Sequence, residues 1–189
     1  MRTKKGKVVC LLQATFFNKG DIMLNLFTVD SKFLNYLRTF DDKVIFNHGI
    51  DRPYVGIIFS LSAPNGSINY FAPLSSPKKK HVTMKNNIDF IKIDSGNLGA
   101  INLNNMIPLV NDTYFKIDIN SIKDKNYQIL LSKQIRWIRS NKLNIMSKAY
   151  LLYKKMTQDD SSLTSFELKV KSRCCNFSLL EDVANKYMK

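Results

Sequence analysis

The chain has 189 residues, 44% of them hydrophobic, enough for one domain of ordinary size to bury a core without disulfides. Its 29 Lys and Arg against 15 Asp and Glu leave a formal charge of +14, which favours a polyanionic partner, nucleic acid before an anionic membrane surface. No stretch approaches the roughly 20 consecutive apolar residues of a membrane-spanning helix, recurrent apolar runs such as the one from Tyr54 to Phe59 argue against disorder, and Cys10, Cys174 and Cys175 show no metal or redox spacing, which suits a reducing cytoplasm.

Residues 1–22 read as a separate N-terminal extension ahead of one domain over 23–189. Arg2, Lys4, Lys5 and Lys7 precede an apolar run from Val8 to Phe17, imitating the first two regions of a signal peptide. No small-x-small cleavage site follows, and Gln13 and Asn18 interrupt or end the run. Lys19-Gly20-Asp21 can be encoded AAA-GGA-GAT, a purine-rich ribosome-binding sequence, so a translation start at Met23 is an alternative reading of this segment. Without it the chain loses five basic residues and one acid and still carries +10.

Leu24 to Val29 reads as a short strand, and Asp30 or Ser31 can cap a helix through about Phe40 with Phe33, Leu34 and Leu37 inward. Asp41-Asp42-Lys43 ends that helix. Tyr54 to Leu61 and Ile68 to Leu74, joined by the turn Ala63-Pro-Asn-Gly66, form a hairpin. Ile88 to Ile93, Leu98 to Leu103 and Tyr114 to Ile119 read as further strands, the last by alternation of Phe115, Ile117 and Ile119 with Lys116 and Asp118. From about Asn126 to Met156 the period becomes helical, with Leu131, Ile135, Ile138, Ile145, Ala149 and Leu152 on one face and a division at Asn141 or Asn144. Gln158 to Thr164 reads as a flexible loop, and Ser178-Leu-Leu-Glu181 as a capping box opening a final helix that buries Leu179, Leu180 and Val183. The class is α+β, with a mainly antiparallel middle.

The most informative segment runs from Ala72 to His81, where a strand leads into Ser75-Ser76-Pro77-Lys78 and a lysine run through Lys79 and Lys80. Lysines neutralise a phosphodiester, hydroxyls and backbone N–H groups bind its oxygens, and Pro77 restricts Ser76 to an extended conformation. The same residues also read as a solvated basic turn protecting a sheet edge. His81 lies beside the cluster, whose charge would lower its pKa and keep it available as a proton acceptor; His48, in a loop, is the lesser candidate. Asp41, Asp42 and Asp51 permit a metal-dependent nuclease, but the first two are explained as well by a helix-end charge pair. Lys133, Arg136, Arg139 and Lys142 lie on the polar side of the long helix, flanked by Trp137. They read equally as a stripe tracking a nucleic-acid backbone and as a solvated face.

Taken together, these segments resemble the ToxN/AbiQ family of type III toxin-antitoxin toxins. The carriers are Phe33-Leu-Asn-Tyr-Leu-Arg-Thr-Phe-Asp-Asp-Lys43, Tyr54-Val-Gly-Ile57, Tyr70-Phe-Ala-Pro-Leu-Ser-Ser-Pro-Lys-Lys79, the block from Leu98 to Pro108, Lys133-Gln-Ile-Arg-Trp-Ile-Arg139 and Cys175-Asn-Phe-Ser-Leu-Leu180. The resemblance implies a strongly bent antiparallel sheet, a barrel-like toxin ribonuclease core, flanked by helices. It also implies a cytoplasmic endoribonuclease with no metal and no cofactor, in which the RNA 2′-hydroxyl attacks the adjacent phosphate to leave a 2′,3′-cyclic phosphate and a 5′-hydroxyl. The catalytic set implied is Ser75, Ser76, Lys78 and Arg52, the last where relatives carry lysine. RNA contacts are expected at Lys79, Lys80, His81, Ser132, Lys133, Arg136, Arg139 and Lys142. Family tyrosines fall on Phe33 and Ser132, leaving Tyr36 or Tyr127 to supply a phenol. The partners implied are antitoxin RNA repeats, both substrate and inhibitor, closing into a ring-like assembly, with cellular or phage RNA as target in abortive infection. Two other readings are a basic RNA-binding protein without cleavage and a DNA-binding regulator, the latter disfavoured by the absence of a helix-turn-helix pattern.

Overall fold

The computed structural model describes residues 14–15, 23–46, 52–63 and 66–187. Its elements run β1 (Ala14–Thr15), β2 (Asn25–Val29), α1 (Ser31–Arg38), β3 (Tyr54–Ala63), β4 (Gly66–Ser75), α2 (Lys79–Thr83), β5 (Phe90–Lys92), β6 (Ala100–Asn102), β7 (Ile107–Leu109), β8 (Tyr114–Lys116), α3 (Lys125–Ser140), α4 (Lys142–Met156), α5 (Ser165–Arg173) and α6 (Phe177–Tyr187). The extension 1–22, apart from Ala14–Thr15 on β3, lies outside the described residues, as do Cys10, His48, Asp51 and the turn positions 64 and 65.

The expected hairpin is the spine of the sheet. β3 and β4 pair from Ala63↔Gly66 to Tyr54↔Pro73, and their side chains are mostly buried because both faces are covered. Around them the antiparallel order is β5-β6-β4-β3-β2-β8, with β7 on β4 and β1 on β3. β5 and β8 are the open ends and do not pair with each other, so the sheet is neither closed nor strongly curled and the barrel-like core is not formed. The short outer strands β5, β6 and β8, three residues each, pair with too little of their neighbours to bring the two ends together.

Helices cover the sheet: α4 packs on β3, α6 on β4 and β7, and α1 on α6. Asp30 caps α1 through its carboxylate, which accepts from the Lys32 N–H at 2.6 Å, and Phe33, Leu34 and Leu37 are buried as their spacing predicts. Asn141 divides α3 from α4, and all six apolar positions expected on one face are buried. Tyr70 stacks on Phe59 with ring centroids 4.5 Å apart and donates to Glu181 Oε1 at 2.5 Å, joining β4 to α6.

Several local expectations fail for identifiable reasons. The strand expected to Ile119 ends at Lys116 and the chain turns at Ile119–Ser121; Ile117 and Ile119 are half-buried between exposed Lys116 and Asp118 as expected, but Phe115, paired with Thr28 in the outermost strand, is exposed. The strand from Ile88 shortens to β5, and Ile93–Gly96 turns with Asp94 and Ser95 at φ 49° and 55°. Ser178 does not cap α6, which begins at Phe177; the Asn176 side chain accepts from the Leu179 N–H instead, Glu181 turns inward to Tyr70, and Leu179 is exposed. The capping box belongs to α5, where Thr164 and Glu167 bond reciprocally, at the end of the segment read as a flexible loop. That segment holds a short turn at Asp160–Ser162 ordered by the Asp159 carboxylate.

Candidate functional site: a serine and lysine loop between two pockets

β4 ends at Ser75, and the loop 76–78 follows before α2. Three contacts hold the end of β4. Leu74 and Ser75 pair with Ile101 and Ala100 of β6; the Leu74 N–H donates to the Pro53 carbonyl at 2.9 Å; and Arg52 Nη1 donates to the Leu74 carbonyl at 3.1 Å. Gly99 makes this approach possible. Its φ is +98°, and a Cβ there would stand 2.0 Å from the Ser75 carbonyl oxygen.

The two serines differ in setting. Ser75 is half-buried, and Asn102 Nδ2 donates to its Oγ at 2.8 Å, which leaves the hydroxyl hydrogen to be donated elsewhere. Ser76 and Lys78 are exposed. The lysine run does not stay a turn: Lys79 and Lys80 open the single-turn helix α2, whose His81 N–H donates to the Lys78 carbonyl at 2.8 Å.

Two pockets meet at Ser75. The first, about 520 Å3, gathers Arg52, Ser75, Ser76, Tyr127 and Gln134, with Leu74 and Leu131 beneath. Gln134 is buried, and its Nε2 donates to the Leu98 carbonyl at 2.7 Å. The second, about 340 Å3, holds Ser75, Lys78, Lys80 and His81 beside Asn102, Asp89 and Arg173. His81 is 5% exposed. Burial lowers its pKa first, and the neighbouring Lys80 and Lys78 lower it further, in the direction the lysine cluster suggested.

Ser75, Ser76 and Arg52 therefore share one pocket, and Lys78, Lys80 and His81 share the other. The helical stripe is separate. Ser132, Arg136 and Arg139 line a third groove of about 470 Å3 with Lys116. Ser132 gives its hydroxyl to the Gln128 carbonyl at 2.8 Å, and Arg139 is tied to the Leu24 carbonyl and Asn25 Oδ1 at 3.1 and 2.7 Å. Lys79 and Lys133 are exposed and Lys142 is half-buried, and none of them lines these three pockets. Phe33 is wholly buried, and Tyr36 directs its hydroxyl to the Val183 carbonyl at 3.4 Å among the rings of α1 and α6, so Tyr127 is the phenol that reaches the Ser75–Ser76 pocket.

Asp41 is structural: buried, it accepts from the Asn176 N–H at 2.6 Å and the Lys43 N–H at 3.0 Å. Among the described residues no group of three or more His, Cys, Asp or Glu is placed to hold a metal ion, and no helix is long and apolar enough to cross a membrane. Burial raises the thiol pKa of Cys174 to about 12 and that of Cys175 further, so both are inert core residues. Sequence reasoning missed Gln134, Asn102, Asp89 and Arg173. The first two lie within segments that carry the family resemblance; Asp89 and Arg173 had no motif to mark them.

A basic α+β fold that brings hydroxyls and cations together at one strand end is of the class suited to a polyanionic partner such as nucleic acid. The chain belongs to the ToxN family: the family model for toxin ToxN of type III toxin-antitoxin systems matches residues 25–185. It is 31% identical over 169 residues to Endoribonuclease ToxN of Pectobacterium atrosepticum, which covers 84% of this chain and 91% of that one. A structure solved in work on selective toxin inhibition by a non-coding RNA pseudoknot superposes with a TM-score of 0.75 at 28% identity, over 89% of this chain and 99% of that one. AbiQ, a lactococcal anti-phage endoribonuclease of a type III system, superposes with a TM-score of 0.71 at 26% identity, over 88% and 98%.

Proposed function

We propose that this protein is a metal-independent endoribonuclease toxin of a type III toxin-antitoxin system, with residues 23–189 as the toxin domain. The observation that carries the reading is the convergence of Ser75, Ser76 and Arg52 on one side of a loop whose other side presents Lys78 and Lys80.

RNA supplies the nucleophile. Its 2′-oxygen forms a bond to the adjacent phosphorus while the bond to the 5′-oxygen breaks; one proton leaves the 2′-hydroxyl and one reaches the departing 5′-oxygen. The protein aligns these oxygens and stabilises the charge on the phosphorane. The Ser75 hydroxyl, its lone pair engaged by Asn102, and the Ser76 hydroxyl donate to non-bridging oxygens. Lys78 and Arg52 balance the added negative charge. Arg52 is a poor proton carrier because a guanidinium stays charged, so proton transfer falls to Tyr127 in the same pocket.

The protein acts in the cytoplasm on cellular or phage RNA, in abortive infection, and cuts its own antitoxin RNA into repeat units. Those units inhibit by covering the Ser76 loop and extending over Arg136, Arg139 and Lys116, and toxin and RNA close into a ring-like assembly. Purified protein with synthetic RNA tests the reading. Cutting that persists in EDTA and leaves cyclic phosphate ends is expected, as is its loss in Ser76→Ala and Lys78→Ala. Cutting abolished by chelation would remove metal independence, and full activity in the double variant would remove the site. Tight binding with intact RNA would favour a non-catalytic RNA-binding protein, a reading that rests on Phe33 and Ser132 standing where relatives carry phenols.

A further inference from the structure

The second pocket contains more than the loop chemistry requires. Its volume of about 340 Å3 lies in the range of small-ligand sites, and its walls come from β6, the segment before β5 and the end of α5. Asp89 and its surroundings tie these together: the Asn104 N–H donates to the Asp89 carbonyl at 2.9 Å, the Cys175 N–H donates to the Asn104 carbonyl at 2.8 Å, and Arg173 Nε donates to Asp89 Oδ2 at 2.5 Å.

Two buried atoms in this pocket are left over. Asp89 is 4% exposed and its Oδ1 has no hydrogen-bond partner among the described residues; the same holds for Nδ1 of His81, which is 5% exposed. Asn102, Asn104 and Asn105 around them donate their side-chain amides to Ser75 and to the Arg173 and Lys43 carbonyls, and Asn87 accepts from the Ile88 N–H. A buried acceptor left unpaired is costly, and a ligand that donates to it recovers that loss. A phosphodiester has no hydrogen-bond donor to offer Asp89 Oδ1, and the Arg173 charge at this end is already matched by the Asp89 carboxylate. The exposed Lys78 and Lys80 are where a backbone belongs. Burial and those lysines also keep His81 neutral, as a hydrogen-bonding group with no charge of its own.

We propose that this pocket reads one nucleobase of the RNA, next to the phosphate held by Ser76 and Lys78. It takes a base with an exocyclic amino group, adenine, cytosine or guanine, through Asp89 Oδ1, and it disfavours uracil. Uracil has no amino group, and its two carbonyl oxygens flanking the single imide N–H would face the carboxylate unfavourably. The inference rests on the RNA-cleaving reading of the adjoining loop. Asp89 acts as a specificity determinant and Arg173 as its positioning residue.

The test is a pool of RNAs randomised around one cleavable site, cut by wild type, Asp89→Asn, Asp89→Ala and Arg173→Lys, with cleaved ends sequenced and binding of the same pool measured. A wild-type preference of at least about fivefold for amino-bearing bases over uracil at one position is expected. Both Asp89 variants should relax it at that position alone, while Arg173→Lys, which keeps the ion pair, retains most of it. Wild type without such a preference, or Asp89 variants that keep it, would overturn the proposal while cutting stands. Selective, Asp89-dependent binding without cutting would instead remove the cleavage reading and support the pocket. Melting curves identify a variant that fails to fold, and the remaining variants then decide.

Discussion

Gly99→Ala tests how the β6 edge sets the proposed catalytic loop. The backbone at Gly99 has φ +98°, so alanine there carries a strain of about 1–2 kcal/mol before any contact is considered. The new Cβ would also lie 2.0 Å from the Ser75 carbonyl oxygen, whereas ordinary contact begins at 3.4 Å, so strand end and turn must separate by about 1.4 Å. Ser75 and Ser76 would move with that carbonyl. Misplacing a positioning group by about 1 Å can cost about a hundredfold in rate, and a loss of that order is expected in single-turnover cutting of a labelled RNA. RNA binding should weaken far less, because Lys78 and Lys80 attract the backbone at longer range. Gly66→Ala is the control: φ is +129°, but nothing lies within 4 Å of its would-be Cβ, so it carries strain without displacement. A folded Gly99→Ala protein cutting within about threefold of wild type would refute the coupling of β6 to the loop; so would an equal loss in Gly66→Ala.

Three other outcomes follow from the same geometry. Burial raises the Glu181 pKa despite its bonds to Tyr70 and Tyr153, so the folded state holds the proton more tightly than the unfolded chain. This stability is fully present below the ordinary carboxyl value of 4.5 and is lost as pH rises through the folded value; Glu181→Gln should flatten that slope in urea melts between pH 4.5 and 8. His81 behaves in the opposite sense: its lowered pKa means that stability falls as pH drops below 6.5, and His81→Gln should remove that fall, which denaturant midpoints across pH 5–7 would detect. Arg136→Ala should lower the slope of log RNA affinity against log salt by about 1 and leave base preference unchanged. An unchanged slope would take Arg136 out of the RNA interface.

The main hairpin was legible from two apolar runs around a turn motif, and the buried faces of α1, α3 and α4 from a helical period; runs, turns and periods are properties of the chain alone. The hydroxyl pair and lysines were legible for a similar reason, since their chemistry is contiguous from Ser75 to Lys80. Misreadings came where local signals compete. Ser178-Leu-Leu-Glu181 has the form of a capping box, yet a buried Tyr70 hydroxyl draws Glu181 inward and Asn176 takes the cap. Phe115 fits an alternating strand, but that strand lies at the end of the sheet and leaves the ring exposed.

By itself, then, the sequence determined a basic α+β chain with a loop of adjacent hydroxyls and lysines and placed it near its family, because charge, period and motif are additive along the chain. Only the tertiary structure decided that the sheet stays open, that Tyr127 rather than Tyr36 lines the pocket of the two serines, and that the arginine stripe lies in a groove apart from the loop. It alone joined Asp89 to Arg173, which lie 84 positions apart in the chain. Those outcomes depend on which distant segments pack together, and packing is settled by the whole core at once.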